Sequence, residues 1–178
     1  MNHKWNYQPI TPEQAETSQT LAQELGISPI LGQLLVQRGI TKAADAKKFF
    51  RPQLPDLHDP FLMKDMEKAV ERVERAVANQ EKIMVYGDYD VDGCTAVALV
   101  YKFLRQIGHK NLMFYIPDRY TEGYGISVKG IDLAARKGVG LIIALDCGIK
   151  ATEKVVYAKT KGVDFIICDH HLPAEEIP

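Results

Sequence analysis

The chain has 178 residues, 46% of them hydrophobic and 25% charged, with a formal net charge of −1. These proportions fit a globular chain with a real core, either one domain or a domain with a small accessory piece, and argue against disorder. Its apolar runs, such as residues 139–145, carry glycines and fall far short of the roughly 20 residues that cross a bilayer.

The opening residues Met1-Asn2-His3-Lys4-Trp5 lack the apolar stretch of a secretory signal, so a cytoplasmic location is expected. Three cysteines, Cys94, Cys147 and Cys168, form no Cys-x-x-Cys pair, which speaks against a disulfide framework and against a structural zinc site. The near-neutral charge does not by itself suggest a nucleic-acid partner, since phosphate binding usually shows as a basic excess.

In chain order, Thr11-Pro12-Glu13-Gln14 offers an N-cap, a proline at the first helical position and a capping-box glutamine, with Gly26 as the stop. Ser28-Pro29 opens a second helix that Gly39 ends, and Thr41 is read as the cap of a third. Residues 51–60 hold three prolines and read as a linker. A boundary near residue 60 is therefore expected, with a helical region at 1–60 and the main domain at 61–178. Met63, Met66, Val70, Val73 and Val77 recur at helical spacing.

The pattern then alternates. Short β-prone runs at 83–86, 112–116, 141–145 and 163–168 are separated by helices expected from about Cys94 to 107, at 126–137 and at 151–161. Nearly unbroken apolar strands separated by helices predict an α/β fold: a parallel β-sheet covered by helices on both faces.

In such sheets, ligands bind beyond the carboxyl ends of the strands. The first strand is followed by Gly87-Asp88-Tyr89-Asp90-Val91-Asp92-Gly93, the third by Asp146-Cys147-Gly148 and the fourth by Asp169-His170-His171. Carboxylates suit magnesium and manganese, and imidazole shifts the preference towards manganese and later metals. Carboxylates also repel phosphate unless cations sit between them, so a phosphoester substrate would imply metals.

Each motif alone has a plainer reading: an aspartate-rich turn, an N-cap at Asp146, or structural hydrogen bonding by the histidine pair. An EF-hand is disfavoured, because its twelfth position would be Leu99 rather than glutamate and a strand precedes the loop where a helix belongs. After the second strand, residues 117–125 carry Arg119, which could pair with a phosphate, and Tyr124, which could stack on a base. A flexible loop with glycine hinges and a surface arginine fits that stretch equally well.

Taken together, Val85-Tyr86-Gly87-Asp88-Tyr89-Asp90-Val91-Asp92-Gly93, Leu145-Asp146-Cys147-Gly148-Ile149 and Asp169-His170-His171 resemble the DHH phosphoesterase superfamily. Residues 117–125 and Leu57-His58-Asp59-Pro60-Phe61 are similar to its bacterial branch of 5′ to 3′ exonucleases specific for single-stranded DNA.

The resemblance implies two manganese or magnesium ions held by Asp90, Asp92, Asp146 and His170. Asp146 would bridge them, Asp88 would be a further ligand or a supporting group, and His171 would stand close to the scissile phosphate. It implies a role in DNA repair and recombination, with single-stranded DNA as partner and a helicase or single-strand-binding protein as companion.

Many superfamily members carry histidine where this chain has Tyr86, so Asp88 is the candidate to replace it. The fourth metal motif and the DHHA1 and oligonucleotide-binding domains have no counterpart up to Pro178. The resemblance thus implies an N-terminal fragment that hydrolyses DNA weakly or not at all by itself. Two other readings stay open: a phosphoesterase of the same superfamily acting on pyrophosphate, oligonucleotides or cyclic dinucleotides, and a receiver-like magnesium-binding module.

Overall fold

The computed structural model describes Lys4 and residues 9–178. The pentapeptide read for a leader lies, apart from Lys4, outside the described residues. The chain divides into two compact units, Met1–Leu62 and Met63–Pro178.

The first unit is helical. α1 (Pro12–Leu25) is bounded by a complete capping box between Thr11 and Gln14, and by Gly26 at φ 64°. α2 (Pro29–Gln37) starts at Ser28, whose hydroxyl accepts from the Ile30 amide. α3 (Ala43–Phe50) begins one residue later than its expected cap. Lys42 rather than Thr41 occupies the N-cap, and no side chain closes that end. Leu21, Leu35, Val36 and Ala46 form the small core. The proline-rich stretch is not wholly extended, for Leu54–Asp56 and Pro60–Leu62 each form a single 3-10 turn.

The second unit starts with α4 (Met66–Ala78) and continues as β1 (Ile83–Gly87), α5 (Val91–Gln106), β2 (Leu112–Tyr115), α6 (Val128–Arg136), β3 (Leu141–Leu145), α7 (Thr152–Thr160) and β4 (Asp164–Cys168). All pairings are parallel and the strand order is β2-β1-β3-β4.

Alternate residues of the central strands face opposite ways. Met84, Tyr86, Ile142 and Ala144 pack with Ile131 and Ala134 of α6 and Ala158 of α7. Ile83, Val85, Leu141, Ile143 and Leu145 pack with Ala76 of α4 and with Val97 and Leu104 of α5. Helices therefore cover both faces, and each fully buried aliphatic side chain contributes about 1.5 to 3 kcal/mol through removal from water. Among the described residues, no helix is long and apolar enough to cross a membrane.

A candidate metal centre at the carboxyl edge of the sheet

Strand order decides which motifs meet. The chain leaves β1 towards β2 on one side and leaves β3 towards β4 on the other, so the crevice between β1 and β3 is the switch point of the sheet. Gly87 of β1 is paired with Leu145 of β3, and Leu145 with Cys168 of β4. The residues that follow, Asp88, Asp146 and Asp169, thus emerge side by side.

The first motif is more helical than expected. α5 starts at Val91, so Asp90 is its N-cap, with Oδ1 accepting from the Gly93 amide at 3.0 Å, and the exposed Asp92 lies in its first turn. This tight entry needs glycine twice. A Cβ at Gly93 would collide with the Asp88 backbone, and one at Gly87 with Val97 and the Gly93 carbonyl.

Asp88 is wholly buried. Its Oδ1 accepts from the Gly125 amide at 3.4 Å, while Oδ2 has no hydrogen-bond partner among the described residues. A buried carboxylate oxygen left without a donor is costly, and a cation is the partner that suits it.

Asp146 adopts φ 58°, a left-handed backbone that side chains rarely take. Its amide donates to the Cys168 carbonyl at 2.8 Å, and its side chain is 10% exposed. His170 Nε2 lies 3.1 Å from Asp146 Oδ1. Asp146, His170 and His171 each offer a ligand atom within 4.8 Å of the others. Asp88, Asp90 and Asp92 are outside that tight group. Asp88 and Asp90 still act on the site through charge: burial first, then Asp88, Asp169, Asp146 and Asp90, push the Cys147 thiol up to about 12.

His171 is held by Asp169, a residue that the sequence reading did not single out for a role of its own. Its Nδ1 lies 2.7 Å from Asp169 Oδ1, which also accepts from the His171 amide at 3.1 Å. Asp169 Oδ2 accepts from the Ile149 amide at 2.9 Å. Burial alone would raise the Asp169 carboxyl, but the donors from Ile149 and His171 outweigh it and hold it below the usual range. The hydrogen bond to Asp169 raises the imidazole of His171 in turn. The signal was available, since Asp169 belongs to the same tripeptide as both histidines. Its orienting role depends on the distant Ile149.

Arg119 and Tyr124 sit on a ladder of rings. The Arg119 guanidinium lies 5.2 Å over the Tyr89 ring, Tyr89 meets Tyr124 edge to face at 6.2 Å, and Tyr124 meets His171 at 5.9 Å. The Tyr124 hydroxyl is 3.1 Å from His171 Nε2. Burial, then the charges of Asp88, Asp146 and Asp169, raise that phenol to about 12.

Tyr86 braces the loop after β2. Its buried hydroxyl donates to the Gly125 carbonyl and accepts from the Ser127 amide, both at 2.9 Å.

These features define a parallel α/β domain with a carboxylate and imidazole cluster at its switch point, a donor set that fits hard divalent cations. The chain belongs to the DHH family: residues 82–178 match the model for the DHH family, N-terminal domain. It is 40% identical over 175 residues to the single-stranded-DNA-specific exonuclease RecJ of Bacillus subtilis, covering 98% of this chain and 22% of that protein. The Escherichia coli protein of that name is 32% identical over 171 residues, covering 96% of this chain and 29% of its own. The chain therefore spans less than a third of the length of these relatives.

Among solved structures, an exonuclease RecJ bound to manganese aligns with a TM-score of 0.60 at 31% identity, over 65% of this chain and 30% of that one. RecJ of Thermus thermophilus in complex with Mn2+ shares the fold, with a TM-score of 0.67 at 24% identity over 92% of this chain and 22% of that one.

Proposed function

We propose that this chain is the metal-holding part of a hydrolase that degrades single-stranded DNA from its 5′ end, in the service of repair and recombination in the cytoplasm. One observation carries the reading: Asp146, His170 and His171 converge within 4.8 Å beside the buried, partly unpaired Asp88. The RecJ relatives suggest the substrate, the manganese-bound structure at 31% identity suggests Mn2+, and the carboxylate donors suit Mg2+ as well.

Asp88, Asp90, Asp92, Asp146 and His170 would be the holding set for two cations, with Asp146 the ligand that both would share. Divalent cations, when bound, supply the positive charge that admits a phosphodiester and favours ionisation of the attacking water.

The protein's own part is orientation. Asp169 fixes the His171 ring through Nδ1 and turns Nε2 towards Tyr124, where an incoming phosphate oxygen would meet it. Water would lose a proton and add to phosphorus, the bond to the leaving oxygen would break, and that oxygen would take up a proton. Arg119 is the candidate contact for a backbone phosphate and Tyr124 for a base or sugar.

The helical region to about residue 60 is assigned as an accessory unit and residues 61–178 as the DHH domain. By itself this chain is expected to hydrolyse DNA weakly or not at all. A helicase or a single-strand-binding protein is the companion to seek.

The test has two arms. Titration of this chain with Mn2+, read by calorimetry, is expected to show saturable binding that Asp146→Ala removes; undiminished binding by that variant would overturn the site. In the full-length protein, 5′-labelled single-stranded DNA is expected to be shortened in Mn2+. Equal activity of Asp146→Ala would overturn the mechanism.

A further inference from the structure

The loop after β2 is tied together around one carboxylate. The Glu122 side chain is 4% exposed. Its Oε2 accepts from the hydroxyls of Tyr115 at 2.7 Å and Ser127 at 2.6 Å. Its Oε1 accepts from the Asp118 amide at 3.0 Å and faces Lys129 Nζ at 3.7 Å. These partners come from the last residue of β2, the start of the loop, the N-cap of α6 and α6 itself. One side chain thus joins both flanks of the loop. Burial would raise the Glu122 carboxyl, but the donors from Ser127, Asp118 and Tyr115 outweigh it, so it stays anionic.

Two further clamps act on the same stretch. Asp118 Oδ1 accepts from the amides of Tyr120 at 3.0 Å and Thr121 at 2.8 Å, and from the Thr121 hydroxyl at 2.9 Å. At the far end, the Gly125 peptide is bracketed, its carbonyl by Tyr86 and its amide by Asp88. Between these fixed points stand Arg119 and Tyr124. Arg119 forms no ion pair among the described residues and rests only on the Tyr89 ring.

We propose that Glu122 is a positioning residue for single-stranded DNA: it latches residues 117–125 so that Arg119, backed by Tyr89, meets a backbone phosphate. The inference rests on the nucleic-acid reading above. A carboxylate that only stabilised the fold would serve equally well with Arg119 absent, whereas a latch for Arg119 loses its purpose once that side chain is gone. Coupling between the two residues is therefore what separates the alternatives.

The experiment uses the full-length protein with Glu122→Ala and Glu122→Gln, each alone and combined with Arg119→Ala, on 5′-labelled single-stranded DNA in Mn2+. Glu122→Ala is expected to raise KM about tenfold, with kcat changed less than about threefold, because a loosened loop weakens binding before it disturbs the bond-breaking geometry. Mn2+ affinity is expected to stay as in wild type. In the Arg119→Ala background the same substitution is expected to add less than about twofold. Glu122→Gln keeps the shape and one acceptor, so a partial effect in the same direction is expected, and it carries the cycle if Glu122→Ala does not fold.

An unchanged KM in folded variants, or effects of the two substitutions that multiply independently, would overturn the inference. The same cycle is also read without turnover, as the dissociation constant of a fluorescein-labelled oligonucleotide. Coupled binding without cleavage sinks the assigned activity and keeps the latch. Cleavage without coupling does the reverse.

Discussion

The two ends of one parallel sheet handle charge in opposite ways. At the amino ends of the strands, Arg72 of α4 makes a bidentate pair with Glu81 at 2.7 and 2.8 Å and a third contact with Asp164 at 2.8 Å, and it lies 3.4 Å from the Gly140 carbonyl. Each guanidinium nitrogen there has an acceptor. At the carboxyl ends, Asp88 keeps an oxygen without a donor, Asp146 holds a left-handed backbone and His170 is 78% exposed. The Arg72 group is satisfied, although His109, just before β2 at the same edge, is buried with both ring nitrogens unpartnered among the described residues. The unpartnered oxygen of Asp88 lies instead beside a carboxylate and imidazole cluster whose donor types suit a divalent cation.

Substitutions at the two edges should therefore separate activity from stability. In the full-length protein, Asp146→Gly is expected to give the largest effect, a loss of at least about a thousandfold in the proposed hydrolysis of DNA, comparable to about 4 kcal/mol of transition-state stabilisation. Its thermal stability is expected to stay level or rise by about 1 kcal/mol, because glycine accepts φ 58° without strain. A large fall in melting temperature would erase the contrast.

Arg72→Met is the mirror experiment. Removing it leaves Glu81 and Asp164 without their partner, and a loss of about 2 to 3 kcal/mol is expected in urea unfolding, with cleavage at permissive temperature unchanged. Asp88→Asn sharpens the comparison further. Relief of the buried uncompensated oxygen is expected to stabilise the chain without metal by about 1 kcal/mol while weakening Mn2+ binding, read by paired melting curves with and without the ion. Destabilisation in the absence of metal would show that Asp88 already has a compensating donor.

The smallest effect concerns pH. Glu122 binds its proton less tightly in the fold than in the unfolded chain, where an ordinary glutamate titrates near about 4.3. The stability supplied by its ionised form is therefore complete above that value and is lost as pH falls through the lower folded value. The stability gap between wild type and Glu122→Gln is expected to be constant near neutrality and to close below about pH 4. A gap that persists at pH 3 would mean that shape rather than charge holds the loop.

Much of this was readable from local pattern. The capping box at Thr11 and Gln14, the apolar strands at 83–87 and 141–145, and the aspartates and histidines at strand ends each follow from residues within one turn or one strand of each other. The misreadings were local contests between equals. Thr41 and Lys42 both precede a helical run, and backbone geometry rather than side-chain chemistry placed the cap at Lys42. The aspartate-rich motif reads as a loop because aspartate is a poor interior helix former, yet an N-cap at Asp90 brings Val91 and Asp92 into the first turn, where a carboxylate is favourable.

The sequence by itself determined the class of fold and the chemistry of the donors, because hydrophobic periodicity and ligand type are properties of short stretches. Tertiary structure alone decided which donors converge and which way they face. Asp88 is buried against a glycine 37 residues further on, Asp169 is held by Ile149 20 residues before it, and Tyr124 reaches His171 across 47 residues. No local pattern encodes such partners. They follow from strand order, which sets the ends of β1, β3 and β4 side by side and so turns three separate motifs into one site.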